Sequence, residues 1–149
     1  MKTIDTYINE KLNLSKYTYK PKNKDELRVI IEKRLKKDKD ANLNDIDVSS
    51  ITNMSFLFFG LDPRNIDISD WDVSNVTNMY RMFSSCENLN TDISEWDVSN
   101  VTSMTCMFEY CENFNCDLSK WDVSNVKYME KMFDGCTSLK NKPSWYKDN

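Results

Sequence analysis

The chain writes one phrase three times at a spacing of 25 residues: WDVSNVTNMYRMFSSC from Trp71, WDVSNVTSMTCMFEYC from Trp96 and WDVSNVKYMEKMFDGC from Trp121. A period between about 20 and 50 residues marks stacked units, none of which can bury its apolar face alone. Sliding the sequence by one period aligns Leu43, Ile68, Ile93 and Leu118, then Met54, Met79, Met104 and Met129, then Phe58, Phe83, Phe108 and Phe133. A first, degenerate copy therefore precedes the three obvious ones, with Ile46 in place of Trp and Leu61 in place of Cys. The last copy closes at Trp145, one residue short of register. Atypical end copies of this kind serve as caps.

Within one copy, Met79, Met82, Phe83 and Cys86 stand at i, i+3, i+4 and i+7, the apolar face of two helical turns. Upstream, DISEWDVSNV alternates like extended chain, with changes of direction near SE and SN. Stacking would then pair these short strands into a parallel ladder. Ahead of the repeats, Asn23 is placed to cap a helix, Glu26 follows three residues later, and Leu27, Ile30, Ile31 and Leu35 form a stripe. The stretch YTYKPKNK reads as a linker. TIDTYINEKL before it fits one or two helical turns with Ile4, Tyr7, Ile8 and Leu12 on one side. The expected fold is α/β: a solenoid of about four 25-residue coils, each a short parallel strand plus a short helix, behind an N-terminal helical cap. Residues 1–41 form the cap and linker, and residues 42–149 the repeat body.

A length of 149 residues suits one cooperative body. The longest apolar run, Phe56 to Leu61, falls far short of the roughly 20 residues of a membrane span. The opening residues lack the apolar region and small-residue cleavage site of a secretory signal, so the expected location is cytoplasmic, or the cell surface if a leader has been removed. Five cysteines, three of them at the repeat spacing (Cys86, Cys111, Cys136), suit free thiols in a packing column. Cys106 and Cys116 lie off that column and are the candidates for exposed or reactive thiols. Charge is divided: residues 1–40 carry 12 basic against 7 acidic side chains, and residues 41–149 carry 8 against 17. The acidic body should repel nucleic acid and anionic membranes and favour basic protein surfaces.

The phrases LNTDISEWDVSNVTSM and MFEYCENF resemble the BspA-type leucine-rich repeat in its 25-residue variety, found in bacterial surface proteins and Mycoplasma-type lipoproteins. The likeness covers about residues 42–145, and KNKDELRVIIEKRL followed by LNDIDVSSITNM is similar to the family's entry segment. The resemblance implies a leucine-rich-repeat-like solenoid, binding to host or matrix proteins in surface members, and no common catalytic residues.

The residues offer little for catalysis. The chain has no His, which removes the Ser-His-Asp and Cys-His nucleophile systems, and its two glycines cannot build a phosphate loop. Cysteines without a CxxC pair give no zinc signature. The Asp columns, 67/92/117 and 47/72/97/122, read as turn acceptors, because the glycine-rich turns of calcium-binding repeats are missing. No cofactor and no metal are expected. Trp71, Trp96 and Trp121 read either as a core spine or as a contact platform. Alternation with Asp favours burial. Letters that differ between copies are free of the stacking constraint, which makes Tyr80, Arg81, Glu109, Tyr110, Glu130 and Lys131, with the Trp column, the candidate partner-binding residues. The expected function is a non-catalytic protein-interaction module. One alternative is an intracellular phage or mobile-element inhibitor whose acidic body blocks a basic host surface such as a nuclease groove. The other is a bacterial surface adhesin fragment.

Overall fold

The structure is a computed structural model that describes residues 3, 4 and 16–148. Apart from Thr3 and Ile4, the expected turns of TIDTYINEKL lie outside the described residues. Helix α1 spans Lys24–Lys37, and Asn23 caps it by accepting from the Glu26 amide at 3.0 Å. Leu27, Ile31 and Leu35 turn inward into one core that continues through the repeats to Phe133. The supposed linker is not free chain. Thr18 and Tyr19 donate to the Asp45 carbonyl, and Tyr19 pairs in parallel with Ile46.

The repeats correct the expectation most. Among the described residues they contain neither strands nor helices, so the fold is not an α/β solenoid of strand-helix coils. Each 25-residue coil is a succession of β-turns, and parallel pairing survives only as single bridges, such as the row Asn53, Asn78, Ser103 and Tyr128. Extended chain fails in DISEWDVSNV because two Asp-x-Ser units bend it. Asp92 accepts from the Ser94 amide and hydroxyl, Asp97 does the same for Ser99, and the turns close from Trp96 to Ile93 and from Val101 to Val98. Short polar side chains that bond their own backbone compete with the strand ladder.

The segment Met79 to Cys86 is two consecutive four-residue turns instead of a helix. Amides of Met82 and Cys86 close them onto the carbonyls of Met79 and Phe83. Arg81 and Ser85, the third residue of each, take left-handed φ of 50° and 60°, the type II arrangement. Two such turns place residues 79, 82, 83 and 86 inward, which is the same spacing as a helical stripe. Hydrogen bonding decides between the two. A helix would spend its amides on its own carbonyls, whereas here the amides of Met79, Arg81, Phe83 and Ser85 donate to Ser103, Thr105, Met107 and Glu109 in the next coil at 2.7–3.1 Å. Helices shorter than about 12 residues are marginal alone, so stacking wins. Inside, the rings of Phe58, Phe83, Phe108 and Phe133 stack at centroid distances of 5.0, 5.6 and 5.8 Å.

Because every such bond runs from one coil to the next, coil 1 would be left with unpaired carbonyls. Arg28 on α1 takes two of them, its guanidinium donating to the Leu57 and Phe59 carbonyls at 3.0 and 2.9 Å, and adds a bond to the turn carbonyl of Phe56 at 2.7 Å. Arg28→Ala should therefore cost about 1–3 kcal/mol, because three charge-assisted bonds are lost and one of them, to Leu57, is partly buried. Arg28→Lys should recover only part of this in urea unfolding, since an ammonium cannot reproduce the planar fork.

The left-handed positions recur in all four coils, and the second of them is glycine at Gly60 and Gly135. A Cβ on Gly60 meets open space, while one on Gly135 would lie 2.5 Å from the Tyr110 ring of the preceding coil. Gly60→Ala should cost on the order of 1 kcal/mol through backbone strain alone. Gly135→Ala should cost more, and pairing it with Tyr110→Ala should return the excess in a double-mutant cycle.

Candidate functional site

The repeated phrase leaves few of its own polar groups for a ligand. In WDVSNVT each indole donates to a carbonyl of the preceding coil: Trp71 to Leu43, Trp96 to Ile68 and Trp121 to Ile93, at 2.9–3.1 Å. The Asn100 side chain donates to the Ser74 carbonyl at 2.7 Å, and the Thr102 amide to the Thr77 carbonyl at 2.8 Å. Trp71, Trp96 and Trp121 are each 4% exposed, with the first two indoles parallel at 6.4 Å. They form a core spine, and their proposed role as a contact platform is corrected: a donor already bonded and covered has no surface to offer.

The remaining candidates divide. Glu109 is also buried, at 7% exposure, held by Arg81 at 3.2 Å and by the Ser84 hydroxyl at 3.3 Å. It ties coil 3 to coil 2 and is corrected from a contact residue to a structural one. Tyr80 and Arg81 are half-buried and joined, the guanidinium donating to the phenol oxygen at 3.1 Å. Tyr110, Glu130 and Lys131 are exposed, and Glu130 accepts from the Thr105 hydroxyl at 2.8 Å. All six letters lie on the paired type II turns, where left-handed residues direct their side chains away from the core.

That turn face carries more than the sequence suggested. Phe56, Phe59, Tyr110 and Tyr128 are among the exposed large apolar side chains, the two tyrosines at 55% and 57%. Phe56 sits edge-on to Phe59 at 5.7 Å and to Tyr80 at 5.2 Å. A chain of contacts thus runs Phe59, Phe56, Tyr80, Arg81, Glu109 across three coils. Phe56, Phe59 and Tyr128 are not among the residues the sequence singles out, where FLFFGL counts only as a run too short to span a membrane. The 25-residue alignment held the signal, since Phe56 falls in register with Arg81, Cys106 and Lys131, a position that varies.

Acidity is concentrated in coils 2 and 3. Residues 67–116 carry nine acidic side chains and one basic, net −8, whereas residues 117–148 carry five and six, net +1. The Asp columns serve as turn acceptors. Ser69, Ser94, Ser99 and Ser124 hydroxyls hold the carboxyls of Asp67, Asp92, Asp97 and Asp122 below the usual range, each assisted by the serine amide. Among the described residues no grouping of Cys, Asp and Glu has the form of a metal site. All five cysteines are free thiols. Cys86 and Cys111 donate to the Phe58 and Phe83 carbonyls, and burial pushes Cys86 up to about 12. The expected exposure of Cys106 and Cys116 is corrected: the first is buried, the second half-buried, and burial raises both thiols, which lowers their thiolate fraction.

These features define a repeat protein of stacked, turn-built coils with a variable aromatic face. Residues 28–146, well over half of the chain, match the family described as "Mycoplasma protein of unknown function, DUF285", and the chain belongs to that family. No curated protein and no solved structure matches it. Among the described residues no helix is long and apolar enough to cross a membrane.

Carboxyls depressed in the folded state stabilise it above their unfolded pKa of about 3.9, and that stabilisation is lost as pH falls through the lower folded values. These groups should leave the melting temperature flat between pH 7 and 5 and lower it below about pH 4. Ser94→Ala and Ser99→Ala together should reduce that acid sensitivity in thermal scans from pH 7 to 2.

Proposed function

We propose that the chain is a non-catalytic protein-interaction module that binds another protein through its turn face. One observation carries this reading: the exposed aromatics Phe56, Phe59 and Tyr110 lie on the paired turns, at letters that differ between the copies, and Tyr128 directly precedes the last pair. Aromatic and Arg side chains dominate interface hot spots, and an ordered scaffold lowers the entropy lost on docking. The Asp-x-Ser turns, the Trp spine and the Asn and Thr bonds between coils are committed to the scaffold, which leaves recognition to these letters. Likeness of WDVSNVT and MFEYC to the BspA-type leucine-rich repeat, whose surface members bind proteins, agrees with this. Five unpaired thiols suit a reducing compartment such as the cytoplasm.

A second reading, an inhibitor that blocks a basic surface such as a nuclease groove, is favoured by the net −8 of residues 67–116. Capture of partners from bacterial lysate across a salt series distinguishes the two. Under the first reading Tyr110→Ala with Tyr128→Ala, both exposed and outside the core, weakens the main partner by roughly 10-fold or more and moderate salt does not release it. Under the second, the same variant binds normally and moderate salt releases the partner. A measured turnover by the chain alone would refute both.

A further inference from the structure

Among the described residues Glu109 is the one charged side chain that is buried, and stacking alone does not ask for a carboxylate there. The same letter is Phe59 in coil 1, Ser84 in coil 2 and Asp134 in coil 4, so the paired turn accepts an aromatic ring, a hydroxyl or an exposed acid at this place. A buried carboxylate gives up its hydration, and pairing it with a cation is a weak source of stability. The cation is Arg81, 28 residues back in coil 2, at 3.2 Å. At the neighbouring boundaries the corresponding letters are Phe56 with Ser84 and Cys106 with Asp134, which cannot form an ion pair. The pair thus belongs to one boundary of the stack and serves something other than stacking.

The geometry beyond Arg81 shows what the pair holds. Nη1 of the guanidinium reaches Glu109, and Nε donates to the Tyr80 phenol oxygen at 3.1 Å. In a planar guanidinium these two directions are rigidly linked, so the carboxylate sets the plane of the cation and the cation sets the place of the phenol. The Tyr80 ring in turn meets Phe56 edge-on at 5.2 Å, and Phe56 meets Phe59 edge-on at 5.7 Å. The Ser84 hydroxyl, fully buried in coil 2, anchors the relay by donating to the same carboxylate oxygen at 3.3 Å. We propose that Glu109 is a positioning residue for the turn face: through Arg81 it holds the Tyr80 ring against Phe56, and so fixes the shape of the aromatic surface that a partner protein meets. The role in recognition rests on the turn face being the binding surface, whereas the hold on Tyr80 does not. Edge-to-face pairs depend on the angle between the rings, and side chains ordered before docking lose less entropy on binding.

Ring-to-ring NOEs of the whole chain test the positioning without a partner. In Glu109→Ser, which installs the letter that coil 2 already carries, the NOEs between Tyr80 and Phe56 should be lost while those between Phe83 and Phe108 remain. Arg81→Lys should lose them too, although its charge is kept, since an ammonium lacks the planar fork. Ser84→Ala, which takes the other bond from Glu109 and leaves Arg81 in place, should keep them. A merely structural Glu109 predicts lower melting temperatures in Glu109→Ser and Ser84→Ala alike with Tyr80 unmoved in all three variants, and that result overturns the proposal. Loss of the ring contact in Ser84→Ala as well as in Glu109→Ser overturns it too. Binding is read next: affinity for the protein that the unaltered chain captures should fall by about 5-fold or more in Arg81→Lys, and an unchanged affinity with the ring displaced overturns the role in recognition. If Tyr110→Ala with Tyr128→Ala leaves capture intact, the turn-face reading fails and the role in recognition falls with it, while the NOEs still decide whether Glu109 positions Tyr80.

Discussion

The forward amide-to-carbonyl bond between the paired turns of successive coils is the interaction on which the rest depends. It requires alternate residues to point every amide the same way, and that requires left-handed backbone at the third residue of each turn. Steric cost at Phe56, Arg81, Cys106, Tyr110 and their equivalents is accepted in every coil. From Met79 to Cys86 every amide is satisfied, by the turns, by the Asn78 side chain, or by the next coil. Burying backbone this completely is what allows a body without strands to enclose stacked phenyl and indole rings without orphaned polar groups.

The sequence announced the period, the apolar columns and the capped helix plainly, because each rests on a single physical rule. Phe83 has to meet Phe108, and Asn23 has to serve the free amides of α1. It did not announce the local backbone, because spacings of three, one and three residues put Met79, Met82, Phe83 and Cys86 on one side of a helix and of two type II turns alike. Only the destination of the amides separates these, and that lies in the neighbouring coil. The same limit hid the candidate site. Glu109 differs from its counterparts Ser84 and Asp134, which suggested freedom, yet it is buried because Arg81 and Ser84 reach it from the coil before. Phe56 and Phe59 drew no attention because composition cannot tell the inward letters of a turn from the outward ones.

Stacking one phrase on itself also stacks its charges. Asp92 feels the field of Asp67, and Asp97 that of Asp122, each of which favours protonation. Two serine bonds to each carboxylate outweigh that repulsion, so the column stays ionised at neutral pH and its short-range cost is offset locally. The long-range field is not offset. It extends about a Debye length, roughly 10 Å at 0.1 M salt, around coils 2 and 3, where Arg81 is the lone cation and is itself committed to Glu109 and Tyr80.

Directional bonding and charge together give the molecule two unlike ends and a graded surface. At the leading end a cation covers the exposed carbonyls, with Arg28 placed there by a helix whose last turn is basic. Over residues 117–148 the side chains turn from strongly acidic to nearly balanced. The three carbonyl bonds of Arg28 also fix α1 to coil 1. Turn amides donate forward while the Trp indoles, the Asn100 side chain and the Thr102 amide donate back, so each coil is held from both sides and the variable turn letters are left outside this ladder.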